Sequence, residues 1–247
     1  MLAAILTYDE ETNADASMEV IPYLGPSGMQ RIPEDGTESL GVHCEGPFLS
    51  PTKNGIHSTN VLVLAPRGFQ DLEDCYGADN LREISTVASS AATRLTPIKM
   101  ITAAPEIDHV LTAIPEIVSR DIVFSMGHSE ATYEQASAAV EAGATMVTHL
   151  FNAMRPLHHR NPGIFGVLGK AESISRPYFG IIADGIHLHP TSVRIAFNTH
   201  PDGCILVTDA MKLVGLGDGV YDWTNGDRIV KTGALLTLEG SNKIAGR

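Results

Sequence analysis

The sequence has 247 residues, of which 43% are hydrophobic, so it is long enough to bury the core of one α/β domain or of two small ones. Its net charge is −12 and no stretch is strongly basic, which argues against a nucleic-acid partner, because such partners require a basic surface. No run approaches the roughly 18 apolar residues of a membrane-spanning helix. The three cysteines are widely spaced and odd in number, which predicts a reducing compartment and a cytoplasmic location.

Short β-branched runs alternate with helical patterns along the chain. Six runs have the length and composition of buried parallel strands, namely Leu40–Cys44, Ile98–Thr102, Ile122–Met126, Thr145–His149, Tyr178–Ala183 and Cys204–Thr208. Helical patterns lie between several of them, at Ile107–Arg120 (interrupted by Pro115), Ala131–Ala142 and Pro190–Asn198. This alternation predicts a parallel α/β sheet or a barrel.

Polar side chains follow the predicted strands, and this favours a barrel. The residues in this position are Glu45, Glu106, His128, His149, Asp184 and Asp209. A barrel gathers such residues from many strand ends on one face, whereas an open sheet gathers them at one switch point. No GxGxxG follows a first strand, so a dinucleotide site is not supported. We therefore expect a (β/α)8 TIM barrel over residues 1–220, with six of its eight strands evident, and a β-rich segment over 221–247.

The segment HCEGPF places Glu45 at the end of the first clear strand, before a Gly-Pro turn. His128 in GHS and His149 in THLFNAM occupy the same position on two later strands. A carboxylate and two neutral imidazoles suit zinc or a related divalent ion. Three protein ligands leave a coordination position for water, whose pKa the metal lowers. The pattern predicts a metal-dependent hydrolase.

Two aspartates follow later strands and receive different interpretations. Asp209 in LVTDA is a candidate proton acceptor beside the metal, and the alternative is a cap on a following helix. The glycine-rich MKLVGLGDG that comes next is not an obvious helix, which weakens the alternative. Asp184 precedes a glycine in ADGIH, a typical turn pair, so its predicted role is to shape the loop.

Other polar residues in the loops after strands are candidate substrate contacts. They are His57 in KNGIH, Asn152 and Ala153 in FNAM, Arg160 in HHRNPG and His187 in DGIH. The planar fork of Arg160 suits a phosphate or a carboxylate. Taken singly, each of these residues is more often an ordinary surface residue than a contact.

Eight motifs together resemble the N-acetylglucosamine-6-phosphate deacetylases of the amidohydrolase superfamily. They run in order from about Leu40 to Leu216: HCEGPF, KNGIH, TAAPE, GHSEAT, THLFNAM, HHRNPGIFG, IIADGIH and LVTDA. The resemblance implies a homodimeric enzyme that removes the acetyl group from N-acetyl-D-glucosamine 6-phosphate in amino-sugar catabolism.

The resemblance also implies roles for individual residues. Glu45, His128 and His149 bind the metal, and Asp209 is the general base and then the general acid. The implied substrate contacts are Ile56, His57, Asn152, Ala153, Arg160 and His187, together with Ile244, Ala245 and Gly246 of KIAGR. Arg160 reaches the phosphate in the neighbouring subunit of the implied homodimer.

The sequence departs from the family at both ends. The family's N-terminal sandwich segment and the His-x-His of its first strand have no counterpart before Glu45, and AAILT at Ala3–Thr7 corresponds to a remnant of strand two. The six strands are then strands three to eight, and residues after KIAGR are missing. This predicts a chain truncated at both ends, with a fragment of a β-sandwich near its C-terminus and one metal ion.

Several alternatives stay open from the sequence. The metal is zinc by ligand type, but iron, manganese and cobalt accept the same set. The substrate is the phosphosugar or, alternatively, another cyclic or acyl amide or a nucleobase. A third interpretation is a non-catalytic remnant of the family, because a barrel lacking strands exposes sheet edges. No membrane partner is expected.

Overall fold

The computed structural model describes residues 2–7, 21–24, 34, 39–82, 84–85, 94–170, 175–223 and 226–246. A parallel sheet of seven strands forms its centre, and these strands are neighbours in the order in which they occur along the chain. These strands are β1 (Leu2–Thr7), β2 (Ser39–Glu45), β5 (Ile98–Ala103), β6 (Val123–Met126), β7 (Met146–Val147), β8 (Tyr178–Ile182) and β9 (Cys204–Val207). A short antiparallel pair, β3 (Ile84–Ser85) and β4 (Arg94–Leu95), lies between β2 and β5 in the chain.

The predicted partial barrel is confirmed. Each of the six predicted runs overlaps an observed strand, and β1 adds a seventh that pairs in parallel with β2. Sequential neighbours in one curled parallel sheet are the arrangement of a (β/α)8 barrel. Within the described residues β1 and β9 lie at the two edges of the sheet. The predicted strand Thr145–His149 is too long, since the structure keeps only Met146–Val147.

Within the described residues, the helices that accompany the sheet include α1 (Phe69–Tyr76), α2 (Val110–Val118), α3 (Tyr133–Glu141) and α4 (Pro190–Thr199). α3 begins with a capping box in which Thr132 and Gln135 satisfy each other's backbone N–H groups. The predicted interruption at Pro115 is wrong, because α2 continues through this residue. Short 3₁₀ turns lie at Pro51–Lys53, Thr59–Val61, Ala78–Leu81, Gly163–Gly169 and Pro201–Gly203.

A second, antiparallel sheet follows the barrel strands. It consists of β10 (Gly219–Asp222), β11 (Arg228–Thr232), β12 (Leu235–Leu238) and β13 (Ile244–Gly246). Its buried residues form a small core of their own, Leu213, Ile229, Leu236 and Ala245. The predicted β-sandwich fragment is a single sheet in the described residues, and the predicted boundary between residues 220 and 221 stays a prediction.

The small sheet lies over the carboxyl end of the barrel strands. Ile56, from the loop after β2, packs against its core, and Met211, from the loop after β9, does the same. The main core, by contrast, lies between the strands and the helices around them. The loops after β2 and β9 are therefore held between the barrel and the small sheet. No helix in the described part of the chain has the length and apolar character needed to cross a membrane.

Candidate metal centre and its pocket

Three predicted ligands meet at the carboxyl end of the barrel strands. Glu45 is the last residue of β2, and His128 and His149 lie just after β6 and β7. Glu45 Oε1 is 2.7 Å from His128 Nε2 and 3.1 Å from His149 Nε2, and the two Nε2 atoms are 3.0 Å apart. All three side chains are buried. Among the described residues they form a group that could hold a metal ion.

The hydrogen bonds around His128 fit a metal ligand. Its Nδ1 donates to the carbonyl oxygen of Lys53 at 2.7 Å, so the proton of the neutral ring is on Nδ1. The unprotonated Nε2 then faces a carboxylate oxygen, and two acceptors at this distance require a proton or a cation beside them. Ligand atoms of a tetrahedral site lie about 3.4 Å apart when each is about 2.1 Å from the metal. The observed separations are slightly shorter, so the donors fit a divalent ion after a small outward adjustment.

The charges at the centre favour a cation. Burial alone raises the pKa of Glu45, but its close contacts with the imidazoles of His128, His149 and His57 outweigh the effect of burial and hold the pKa well below its usual range. Burial lowers the pKa of His128. Burial opposes protonation of His149 as well, yet the adjacent Glu45 carboxylate raises its pKa on balance. Glu45 therefore keeps its negative charge, and the proton that Glu45 favours on His149 must leave when a metal binds.

Asp209 lines the same pocket, but its pKa is shifted in the opposite direction from that of Glu45. It lies just after β9, and burial together with the charge of Glu45 raises its pKa, against the effect of the nearby imidazoles. Two carboxylates whose pKa values are displaced in opposite directions suit two roles. The ionised Glu45 suits a ligand, and Asp209 suits a group that accepts and returns a proton. The alternative role as a helix cap is wrong, because no helix lies between Asp209 and β10 in residues 208–218.

The backbone at these positions is left-handed. His128 has φ 49°, His149 φ 28° and Asp209 φ 48°, and each lies two residues beyond the end of its strand. Non-glycine residues rarely adopt this conformation, and they concentrate at functional sites when they do. At each of these three positions, the left-handed residue changes the direction of the backbone after the strand, and its side chain lines the shared pocket.

The centre opens into a cavity of about 620 Å³. Most of the predicted substrate contacts line it: Ile56, His57, Asn152, Ala153, His187, Ile244, Ala245 and Gly246. The loops after β2, β7, β8 and β9 form one side, and β13 of the small sheet forms another. The structure thus brings these residues together, while their contact with a substrate stays a prediction.

Arg160 is the exception among the predicted contacts. Its side chain is exposed, its Nη1 lies 2.8 Å from Nε2 of His159, and it does not line the cavity. It is therefore outside the pocket of its own chain. Its predicted role in a neighbouring subunit stays a prediction.

Several lining residues escaped the sequence interpretation. They are Thr52, Lys53, Asn54, Met211, Lys212, Trp223 and Lys243. Lys53 and Asn54 belong to the recognised KNGIH segment, so their position was a usable signal. Lys243 directly precedes Ile244–Gly246 in the recognised KIAGR segment, so its position was a usable signal as well. Trp223 directly follows β10, where no sequence pattern points to a site. The Lys212 ammonium lies 4.6 Å from the centre of the Trp223 ring, a cation–π contact.

Two other carboxylates that follow strands do not join the centre. Glu106 accepts hydrogen bonds from the Ser129 hydroxyl at 2.7 Å and from the Glu130 N–H, so it holds the segment after His128. Asp184 accepts from two backbone N–H groups of its own loop, which confirms its predicted loop-shaping role. It also contacts His187, which the sequence did not indicate.

The chain is similar to known proteins in both sequence and structure. N-acetylglucosamine-6-phosphate deacetylase of Danio rerio is 42% identical over 207 residues, which is 81% of this chain and 46% of the relative. The Caenorhabditis elegans deacetylase is 37% identical over 232 residues, or 92% of this chain and 51% of the relative. The chain is a homologue of the N-acetylglucosamine-6-phosphate deacetylases. It spans about half the length of these curated relatives.

The solved structures to which the chain is similar are also N-acetylglucosamine-6-phosphate deacetylases. A Mycobacterium smegmatis N-acetyl-D-glucosamine-6-phosphate deacetylase variant, in complex with N-acetyl-D-glucosamine 6-phosphate, has a TM-score of 0.75 and 30% identity, covering 99% of this chain and 56% of its own. The Thermotoga maritima deacetylase has a TM-score of 0.73 and 29% identity, covering 99% and 58%. No family model matches the chain.

Proposed function

We propose that this site hydrolyses the acetamide of N-acetyl-D-glucosamine 6-phosphate, giving D-glucosamine 6-phosphate and acetate. The observation that carries the proposal is the convergence of Glu45, His128 and His149 in a pocket that also contains Asp209. The names of the homologous proteins supply the substrate. The nitrogen and oxygen donors favour zinc as the ion they hold.

A divalent ion held by these three residues supplies a Lewis acid and lowers the pKa of a water molecule. Asp209 takes the proton from the water that attacks the acetyl carbonyl, and then gives it to the departing amine. The raised pKa of Asp209 suits both halves of this cycle, because the group must bind the proton and also release it.

His57 is positioned to stabilise the oxyanion that forms on the acetyl oxygen. Its Nε2 lies 3.9 Å from Glu45 Oε1, and its ring meets the His128 ring edge to face at 4.9 Å between centroids. The backbone around it is fixed, since Asn54 Nδ2 donates to the His57 carbonyl at 2.6 Å. A preorganised donor beside the reacting carbonyl is worth more than one that must be ordered during the reaction.

Other residues that line the cavity hold the sugar and its phosphate. Asn152 and Ala153 contact the sugar from the loop after β7, and Ile244–Gly246 contact it from the small sheet. His187 binds the phosphate, and Arg160 reaches the phosphate of the neighbouring subunit in a homodimer. The exposed position of Arg160 supports this last assignment. The odd number and wide spacing of the cysteines support a cytoplasmic location.

The decisive experiment measures acetate release from N-acetyl-D-glucosamine 6-phosphate and from the unphosphorylated sugar. We expect release after loading with zinc, its loss after chelation, and a higher kcat/KM for the phosphorylated sugar. Equal kcat/KM values for the two sugars would argue for another acyl-amide substrate.

Trp223 gives a second measurement that does not depend on turnover. It is the single tryptophan of the chain and it lines the pocket, so its fluorescence reports ligand entry. A protein that binds one zinc ion and melts cooperatively, but releases no acetate and shows no response of Trp223 to the phosphosugar, would be a non-catalytic remnant.

A further inference from the structure

Four buried polar side chains lie next to the metal centre and are joined by hydrogen bonds that the proposed reaction does not use. His43 on β2 has its Nε2 2.7 Å from Oγ1 of Thr102 on β5. Thr102 Oγ1 lies 2.6 Å from Oγ1 of Thr148, which directly follows β7, and Ser125 Oγ on β6 lies 2.6 Å from that same Thr148 atom. All four residues are buried, and together they are the polar chain.

The polar chain connects the strands that supply the proposed metal ligands. His43 is two residues before Glu45 on β2, so the two side chains point to the same side of the sheet. Thr148 directly precedes His149, and Ser125 belongs to β6, the strand before the other histidine ligand. The remaining member comes from β5, which lies between β2 and β6 in the sheet. The hydrogen bonds therefore run across four neighbouring strands close to the ends that carry the ligands.

Gly127 brings the polar chain into contact with the backbone before His128. A Cβ atom on Gly127 would lie 2.8 Å from Cγ2 of Thr102 and 2.9 Å from Cβ of Thr148. The backbone before His128 thus packs directly on these two threonines. A shift of either threonine changes the space that Gly127 occupies, and a shift of Thr148 also moves the adjacent His149. The polar chain therefore acts on both histidine ligands.

Polar side chains at these positions restrict the strands more than apolar side chains would. The interior of a barrel of this type is usually filled by Val, Ile and Leu. A buried hydroxyl is costly unless it has a hydrogen-bond partner, and the bond forms only over a narrow range of distance and angle. Apolar packing, by contrast, tolerates small changes of side chain and position. The polar chain therefore favours one arrangement of these strands over slightly shifted ones.

We propose that the polar chain positions the metal centre: the Thr148 hydroxyl, held by two partners within the chain, fixes the backbone that carries the two histidine ligands. The proposal rests on the proposed function in one respect, because it takes the metal centre to hold a divalent ion. The four residues of the polar chain do not line the cavity, so they act through the ligands and not on the substrate.

The first test replaces Thr148 by valine, which keeps the branched shape of the side chain and removes the hydroxyl. We expect Thr148→Val to lower the zinc affinity, measured by competition with a chromophoric chelator, by about tenfold, since loss of a group that orients a ligand has an effect of this order. Thr148→Ser keeps a hydroxyl and should have the affinity of the parent protein.

Thr96→Val is the matched control for the loss of a buried hydroxyl. Thr96 is buried, and its hydroxyl accepts a hydrogen bond from Lys99 Nζ at 3.3 Å. It lies just before β5, at the amino end of the strands, whereas the metal centre lies at their carboxyl end. We expect Thr96→Val to reduce the melting temperature and to leave the zinc affinity unchanged.

The second test observes the geometry of the centre without turnover. Cobalt(II) replaces zinc, and its visible absorption bands report how the ligands are arranged around the ion. We expect the bands to shift in Thr148→Val and to match those of the parent protein in Thr148→Ser and Thr96→Val. A polar chain that only stabilises the fold would lower the melting temperature of Thr148→Val with its zinc affinity and its cobalt bands unchanged, and this result would overturn the proposal.

Ser125→Ala keeps the proposal testable if Thr148→Val does not fold, because it removes only the end of the polar chain and leaves the hydrogen bond between Thr102 and Thr148. We expect its zinc affinity to fall by about threefold, an effect within the range of one neutral hydrogen bond, and an unchanged affinity would refute the positioning role. Acetate release by the parent protein tests the proposed function separately. If these hydroxyls control zinc affinity but no acetate is released, the proposed function is wrong and the positioning role stands.

Discussion

Gly55 lies against His128, a proposed metal ligand, so replacing Gly55 by alanine tests the proposed metal centre without changing any of its three ligands. The residue is in the loop after β2 and has φ +60°. A Cβ atom at this position would lie 2.9 Å from Cε1 of His128. Carbon atoms normally approach no closer than about 3.5 Å, so the ring or the loop must move by at least about 0.6 Å.

The His128 ring has little freedom to make this movement. Its Nδ1 is 2.7 Å from the Lys53 carbonyl oxygen and its Nε2 is 2.7 Å from Glu45 Oε1. A displacement that misaligns the bond to Lys53 acts on the partner that orients the ligand. Loss of such a partner typically weakens metal affinity by about 10–100-fold. We expect Gly55→Ala to lower the zinc affinity by this amount.

The loss of stability caused by a left-handed alanine must be distinguished from the loss of zinc affinity. Gly233 has nearly the same conformation, φ +59°, and nothing lies within 4 Å of the Cβ that alanine would place there. Both substitutions are expected to reduce the free energy of unfolding by about 1–2 kcal/mol, the cost of a left-handed non-glycine residue. Only Gly55→Ala should also weaken zinc binding.

The assays are urea unfolding in the presence of a chelator, and zinc affinity by competition with a chromophoric chelator. Acetate release at saturating zinc gives a third measure, and we expect it to fall in Gly55→Ala, because a shift of about 1 Å at a catalytic site can cost about 10²-fold in rate. Equal zinc affinities for Gly55→Ala and Gly233→Ala would refute the reasoning about His128.

Three further predictions concern the ionised groups. Asp209→Asn should reduce acetate release by about 10²–10⁴-fold with little change in zinc affinity, and near-normal turnover of the variant would contradict the role of Asp209. In the parent protein, the rate of acetate release should fall as the pH drops through the raised pKa of Asp209, at a higher pH than for an ordinary aspartate. In the metal-free protein, Glu45 should stabilise the fold above its usual pKa of 4.5, and this stability is lost as the pH falls. His149 should stabilise the fold below its usual pKa of 6.5, and this stability is lost as the pH rises through its raised pKa. Unfolding midpoints measured across pH should therefore be highest between these two values, and a flat profile would exclude a charged pair of Glu45 and His149. Arg160→Ala should raise KM for the phosphorylated sugar by about tenfold with kcat unchanged, and an unchanged KM would remove it from the site.

Local patterns in the sequence were sufficient to locate the barrel strands and the group of side chains that could hold a metal ion. A buried parallel strand has a continuous apolar, β-branched run, and this signal lies within the strand itself. The position after each strand is equally local, so Glu45, His128 and His149 could be identified as a group before their distances were known. The barrel topology then brings strand ends together whatever their separation in the chain.

The parts that the sequence did not indicate depend on contacts between distant segments. Trp223 reaches the pocket because the small antiparallel sheet packs on the loops after β2 and β9, and no periodicity of hydrophobic residues in the sequence predicts such packing. Asp184 was identified correctly as a turn residue, but its contact with His187 depends on side-chain directions that a turn motif does not specify. The position of Arg160 outside the cavity likewise follows from the path of a long loop.

The left-handed backbone at His128, His149 and Asp209 reduces the stability of the fold, although these residues serve the proposed reaction. Glycine and asparagine adopt this conformation more readily than histidine or aspartate, so either would relax the chain locally. Asp209→Asn should then melt at the same temperature as the parent protein or higher, although it is almost inactive. Sequences selected for stability alone would therefore lose the proposed catalytic residues.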